Sequence, residues 1–164
     1  MTPTTGFFVI AHNIRSLHNV GSIFRTSDVF AVDKLFLSGY TGHPPDPRLE
    51  KVSLGADKTV LWEYTKSARV IVRRLRLQYP TLQVVGLENN LKGVGEASKV
   101  YKLEAYKPIT PILLVLGEEV KGISKPLQKL CDGFVEIPQY GQKESLNLSV
   151  AFGIAVYHIK NAIK

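Results

Sequence analysis

Short runs of β-branched and aromatic residues alternate with longer helical patterns, and this alternation restricts the fold more than any other feature of the chain. Phe7–Ala11 (FFVIA), Lys34–Ser38 (KLFLS), Thr59–Trp62 (TVLW), Leu82–Leu87 (LQVVGL), Ile112–Leu116 (ILLVL) and Gly133–Ile137 (GFVEI) read as strands. Several are apolar at nearly every position, the pattern of strands buried on both faces. Between them the periodicity predicts helices over about residues 18–31, 47–55, 65–79, 124–131 and 145–163. Such alternation predicts an α/β fold with a mainly parallel sheet flanked by helices. Ser38–Pro47 (SGYTGHPPDP) is a loop, because Gly39, Gly42, Pro44, Pro45 and Pro47 break both regular patterns. It reads as a stiff connector, or as a flap over a site.

A chain of 164 residues, 45% of them apolar, is expected to form one domain over 1–164 and to bury a real core. No window reaches the ~18 uninterrupted apolar residues of a membrane helix. The start of the chain, Met1-Thr-Pro-Thr-Thr-Gly, has no basic residue before its short apolar run, so it does not read as a secretory signal. Cys131 is the only cysteine, which excludes an internal disulfide and a thiolate metal cluster. These features fit a cytoplasmic protein.

Lys and Arg total 21 against 14 Asp and Glu, a net charge of +7. A basic domain suits a polyanionic partner, although charge alone also serves solubility. The region 65–79 concentrates the excess. Ala68, Val72, Leu75 and Tyr79 form its apolar stripe. Lys66, Arg69, Arg73 and Arg76 form another stripe, Arg74 adds a fifth positive charge, and no acid lies between 65 and 79. A face of one sign repels itself and calls either for an anionic ligand or for acids supplied by other parts of the fold.

Several familiar sites are excluded. Gly117-Glu-Glu-Val-Lys-Gly122 has the glycine spacing of a phosphate-binding loop, but Ile123 stands where the required Lys belongs, and two acids sit where backbone amides should cradle phosphate. Gly93-Val-Gly95 lacks the third glycine of a dinucleotide site, since Ser98 occupies it. His12, His18, His43 and His158 form no ligand pair at helical spacing, so no metal site is expected. Ser145 and Ser149 lack the Gly-x-Ser-x-Gly elbow of a hydrolase.

What remains is polar, glycine-punctuated sequence following strands, where ligands bind in open α/β sheets. In His18-Asn-Val-Gly-Ser-Ile-Phe-Arg-Thr26, Asn19 and Arg25 lie about 1.7 helical turns apart and so project in different directions. Asn19 reads as a residue at or before a helix cap, and Arg25 as a separate projection or as a salt-bridge partner of Asp28. In Ile112–Ser124, an apolar strand ends in Gly117, which lets a ligand approach the backbone. Glu118 and Glu119 follow, with Ser124 and Pro126 opening the next helix. In Val135–Ser149, Ser145 and Asn147 begin a helix that is apolar on nearly every face, and such a helix is buried in the monomer or against a second copy.

Taken together, the three segments resemble the SpoU/TrmH branch of the SPOUT RNA methyltransferases. Asn-x-Gly-x-x-x-Arg appears as Asn19-Val-Gly21-Ser-Ile-Phe-Arg25. Leu-Gly-x-Glu-x-x-Gly appears as Leu116-Gly117-Glu118-Glu119-Val-Lys-Gly122. Ile137-Pro138 is followed by Ser145-Leu146-Asn147-Leu148-Ser149. All three occur in family order across nearly the whole chain, with no appended RNA-binding domain in evidence. The resemblance implies a SPOUT fold with a deep C-terminal trefoil knot, S-adenosylmethionine as cofactor and a homodimer with sites at the subunit interface. It also implies that Gly117, Ile137 and Leu146 contact the cofactor, largely through backbone, with Leu87 joining them. Asn19, Arg25, Glu119, Ser145 and Asn147 match the family's catalytic set.

The activity so implied is methyl transfer to a ribose 2′-hydroxyl of structured RNA, transfer RNA before ribosomal RNA. Arg25, protonated at any accessible pH, suits phosphate binding and stabilisation of developing alkoxide charge rather than proton abstraction. Glu119 either orients Arg25 or orders its loop. Arg69, Arg73 and Arg76 are expected to meet RNA phosphates. The competing classes are a non-catalytic RNA-binding protein of the same fold and a small-molecule enzyme with incidental basicity.

Overall fold

Seven parallel strands form one sheet in the order β3-β2-β1-β6-β4-β7-β5 in a computed structural model that describes residues 6–89, 91 and 99–163. The strands are β1 Phe7–His12, β2 Lys34–Ser38, β3 Trp62–Thr65, β4 Gln83–Leu87, β5 Lys99–Lys102, β6 Ile112–Leu116 and β7 Gly133–Glu136. The helices are α1 Leu17–Val29, α2 Pro47–Ser53, α3 Ala56–Thr59, α4 Ala68–Gln78, α5 Lys125–Gln128 and α6 Leu148–Ala162. The glycine pair at 93 and 95 lies outside the described residues.

Alternation within each strand divides the core in two. Phe7, Val9, Ala11, Leu35, Leu37, Val85, Leu87, Ile112, Leu114, Leu116 and Val135 point to one face, where α1, α2, α3 and α6 pack. Phe8, Ile10, Phe36, Val84, Leu113, Val115 and Phe134 point to the other, against α4 and α5. β1 and β6 are buried on both sides because each residue serves one of these two cores. This is the physical content of the unbroken apolar runs.

Four expectations change. The strand placed at Thr59–Trp62 starts only at Trp62, because Thr59 closes α3 and Val60 N donates to Ala56 O at 2.9 Å. The edge strand β5 is an addition, and every one of its residues is exposed. The helix placed at 124–131 is a single turn after Ser124, with proline at its start. The last helix begins at Leu148 rather than 145, because the Asn147 side chain caps it, accepting from Ser149 N at 2.9 Å.

Candidate active site

A parallel sheet brings all its carboxyl ends to one edge. Ala11, Leu116, Leu87 and Val135 are in register across β1, β6, β4 and β7. The segments that follow these four strands therefore lie side by side. A cleft of about 460 Å³ opens there. Leu87, Gly117, Ile137 and Leu146, the four residues expected at the cofactor, line it together with Glu119 and Ser145. Asn19, Arg25 and Asn147 do not.

The loop after β6 is a tight turn. Glu118 N donates to Gly122 O at 3.1 Å, and Gly122 N donates back to Glu118 O at 2.8 Å. A Cβ on Gly117 would overlap the Gly122 carbonyl carbon and the Ile123 nitrogen. Its missing side chain thus makes room for the chain's own turn, and the residue lines the cleft. The Ile137 backbone is held by its neighbours. Its N–H donates to Asn89 Oδ1 at 3.1 Å, and its carbonyl accepts from Asn89 Nδ2 at 2.6 Å and Gln139 Nε2 at 2.8 Å. These bonds fix the position of Ile137 in the cleft wall.

Glu119 joins this turn to the β1–α1 loop. Its carboxylate accepts from Arg15 N at 3.0 Å, Ser16 N at 3.0 Å and Asn19 Nδ2 at 3.1 Å. Partial burial pushes its pKa up, but these donors more than offset that and hold the carboxyl below its usual value. Of the two roles considered for Glu119, the bonds support ordering of the loop: no described bond reaches Arg25. Asn19 is buried, and it is not the cap. Ser16 caps α1, accepting from Asn19 N at 3.2 Å.

Arg25 lies on α1, about 9 Å farther along the axis than Asn19 and about 120° around it. It is exposed and has no hydrogen-bond or ion-pair partner among the described residues. Asp28, its possible partner, instead accepts from Thr59 Oγ1 at 2.6 Å. Asn147 Oδ1 accepts from both Ser149 N and Ser149 Oγ, the latter at 2.7 Å, so it shapes the entry to α6.

Phe152, Ala155, Val156 and Ile159 of α6 are buried in the monomer. Val150, Ile154 and Tyr157 remain exposed on another stripe at i, i+4 and i+7. The basic face of α4 also divides. Arg74 pairs with Glu63 at 2.8 Å, while Arg76 pairs with Asp132 at 2.8 Å and donates to Leu130 O at 2.9 Å. Arg76 is therefore a structural tie rather than a free phosphate contact. Arg69 and Arg73 stay exposed.

The sequence reading missed Glu88, Asn89 and Glu144 as cleft residues. Glu88 and Asn89 directly follow β4, and that position was the available signal. Glu88 and Glu144, with Glu118 and Glu119, give the cleft four carboxylates in a chain of net charge +7. Apolar Leu87, Ile137, Leu146 and Ala151 share the lining with these acids, a combination that suits a molecule with an apolar body and positive charge. No group of three or more His, Cys, Asp and Glu among the described residues is arranged to hold a metal ion.

A model of the SpoU rRNA Methylase family matches residues 6–157. The chain belongs to this family. Its SpoU relatives include a tRNA (guanosine(18)-2′-O)-methyltransferase of Aquifex aeolicus, 31% identical over 150 residues that cover 91% of this chain and 66% of that one. Another is the 23S rRNA (guanosine-2′-O-)-methyltransferase RlmB of Photorhabdus laumondii, 30% identical over 154 residues, 93% of this chain and 59% of that one. The chain thus spans 66% and 59% of the length of these two relatives. The SpoU methyltransferase AviRb of Streptomyces viridochromogenes, solved in complex with AdoMet, superimposes with a TM-score of 0.82 at 25% identity, over 96% of this chain and 60% of that one. The α/β reading of the sequence therefore holds at the level of family and fold.

Proposed function

We propose that the chain is an S-adenosylmethionine-dependent RNA 2′-O-ribose methyltransferase. One observation carries the reading: the cleft is lined by residues of the two family motifs that follow β6 and β7, while the third motif, on α1, is tied to it through Asn19 and Glu119. Leu87, Ile137 and Leu146 would hold the cofactor's apolar parts and the cleft carboxylates its positive charge. S-adenosylmethionine supplies an electrophilic methyl group on a sulfonium. The nucleophile, a ribose hydroxyl, is poor, so the protein's work is alignment and charge stabilisation. Arg25, exposed and unpaired among the described residues, is available to grip a phosphate bidentately and to stabilise charge developing on the attacking oxygen, whose proton that phosphate would help to take. Glu119 fixes the loop from which α1 starts. Ser145 contributes a hydroxyl at the cleft, and Asn147 holds the entry to α6.

Because Arg25 is not among the residues lining its own chain's cleft, the reading includes a homodimer in which Arg25 serves the partner's cleft. The exposed stripe Val150, Ile154 and Tyr157 supports such a contact. The trefoil knot is part of the proposal too, supported by the insertion of β6 between β1 and β4 and of β7 between β4 and β5. Lys66, Arg69 and Arg73 would meet RNA phosphates from the opposite face of the sheet. A cytoplasmic setting completes the reading, and the single free thiol Cys131 is compatible with it.

Transfer RNA is the preferred substrate, since the relative acting on it shares more of its own length with this chain than does the ribosomal enzyme. Incubation with radiolabelled S-adenosylmethionine and total cellular RNA, followed by size fractionation and nuclease digestion, tests both points. Label in a 2′-O-methylated nucleotide of transfer RNA is expected. Label in 23S RNA would replace the substrate, and label in a base would overturn the reaction.

A further inference from the structure

We propose that Tyr40 is a stacking platform for a base of the RNA at the mouth of this cleft. The inference rests on the methyltransferase reading above and names a residue outside all three family motifs.

Tyr40 follows β2 at the same sheet edge as the cleft. His12 and Ser38 are in register, so the turn after β2 lies beside the loop after β1. That turn is heavily pinned. Gly39 sits at φ +68, where a Cβ would overlap Asn13 Oδ1. Gly39 O accepts from the Tyr64 hydroxyl at 2.7 Å. Tyr40 N donates to Asn13 Oδ1 at 3.2 Å. On the other side, Thr41 is buried, its Oγ1 donating to Ser38 O at 2.7 Å and accepting from Ile14 N at 3.0 Å. The next residues of that loop, Arg15 and Ser16, are the ones held by Glu119.

The Tyr40 backbone is therefore fixed to the Glu119 assembly, while its ring is turned outward. Tyr40 is 58% exposed, and its ring has no hydrogen-bond or ring contact among the described residues. Loss of solvent first, then the Glu118 and Glu119 carboxylates, raise the phenol's pKa, with Arg15 acting against them. Packing gives no reason for a large aromatic here. A rigid scaffold that presents a bare π face beside a reaction site matches what base stacking needs: area, low conformational freedom and tolerance of sequence.

The test compares wild type with Tyr40→Ala, Tyr40→Phe and Tyr40→Trp in methylation of bulk transfer RNA and ribosomal RNA, with cofactor affinity measured by equilibrium dialysis. Tyr40→Ala is expected to raise KM for RNA by about 5- to 150-fold, as loss of one stacked base does, with kcat and cofactor affinity close to wild type. Tyr40→Phe and Tyr40→Trp should restore KM, since they keep the π face and lose only the hydroxyl. An unchanged KM in Tyr40→Ala, or a defect that Phe and Trp do not rescue, overturns the assignment while leaving the methyltransferase reading intact. A wild-type protein that methylates neither RNA overturns that reading, and this inference with it.

Discussion

The side-chain amide of Asn19 donates to Glu119 Oε1 at 3.1 Å across a sequence separation of 100 residues. The bond ties the first turn of α1 to the turn after β6, and Glu119 adds the Arg15 and Ser16 amides to the same carboxylate. Removing the carboxylate strands the buried Asn19 amide. Glu119→Ala should therefore cost about 1–3 kcal/mol of stability, read from urea unfolding, and loosen residues 13–16 in amide exchange. Glu119→Gln should fall between it and wild type. Equal stability of all three would show that the three bonds contribute nothing.

Acid should titrate this assembly. The Glu119 carboxyl is held below its ordinary value of 4.5 in the folded chain. The unfolded chain then binds the proton more readily, so the group's contribution is fully present above that value and is lost as pH falls through the lower folded value. The stability difference between wild type and Glu119→Gln should be flat at neutral pH and shrink below about pH 4.5. A difference that stays constant down to pH 3 would contradict the assigned donors.

Helix α4 should separate cleanly by mutation. Arg76→Ala breaks the pair with Asp132 and the bond to Leu130 O, and is expected to cost about 0.5–1.5 kcal/mol because the pair is half exposed. Arg69→Ala with Arg73→Ala should leave unfolding unchanged and weaken RNA binding, flattening its dependence on salt. RNA affinity and salt slope that do not move would remove α4 from the binding surface.

The exposed stripe on α6 makes a prediction about assembly. Ile154→Asp should convert a dimer to a monomer in sedimentation without unfolding it, because the buried residues of α6 lie on the other face. A wild-type monomer at high concentration would contradict the proposed placement of Arg25 in a partner's cleft.

Much of this was legible in the sequence, for reasons that can be named. The strands read at 7–11, 34–38 and 112–116 were plain because their apolar residues are buried on both faces of the sheet. β5 was invisible because it is an exposed edge with lysine at both ends. Val60 and Leu61 looked like strand by propensity, but the α3 bonding decided otherwise. Gly117 and Glu119 were legible as glycine and acid after a strand, whereas Leu87, Ile137 and Leu146 came only from the family resemblance and Glu88, Asn89 and Glu144 were missed. The partners of Arg74 and Arg76 were not legible, because Glu63 and Asp132 are brought to them only by the sheet. The turn at 38–47 read as a loop, but its ties to the β1 loop, and the display of Tyr40, needed the register of β1 against β2.

Arg25 offers the most direct test. Wild type and Arg25→Ala should bind S-adenosylmethionine equally and unfold at the same denaturant concentration, since Arg25 is exposed and unpaired among the described residues. Single-turnover transfer of labelled methyl to ribose in RNA should fall at least about 100-fold in the variant. Transfer at the wild-type rate by Arg25→Ala would contradict the account at its centre.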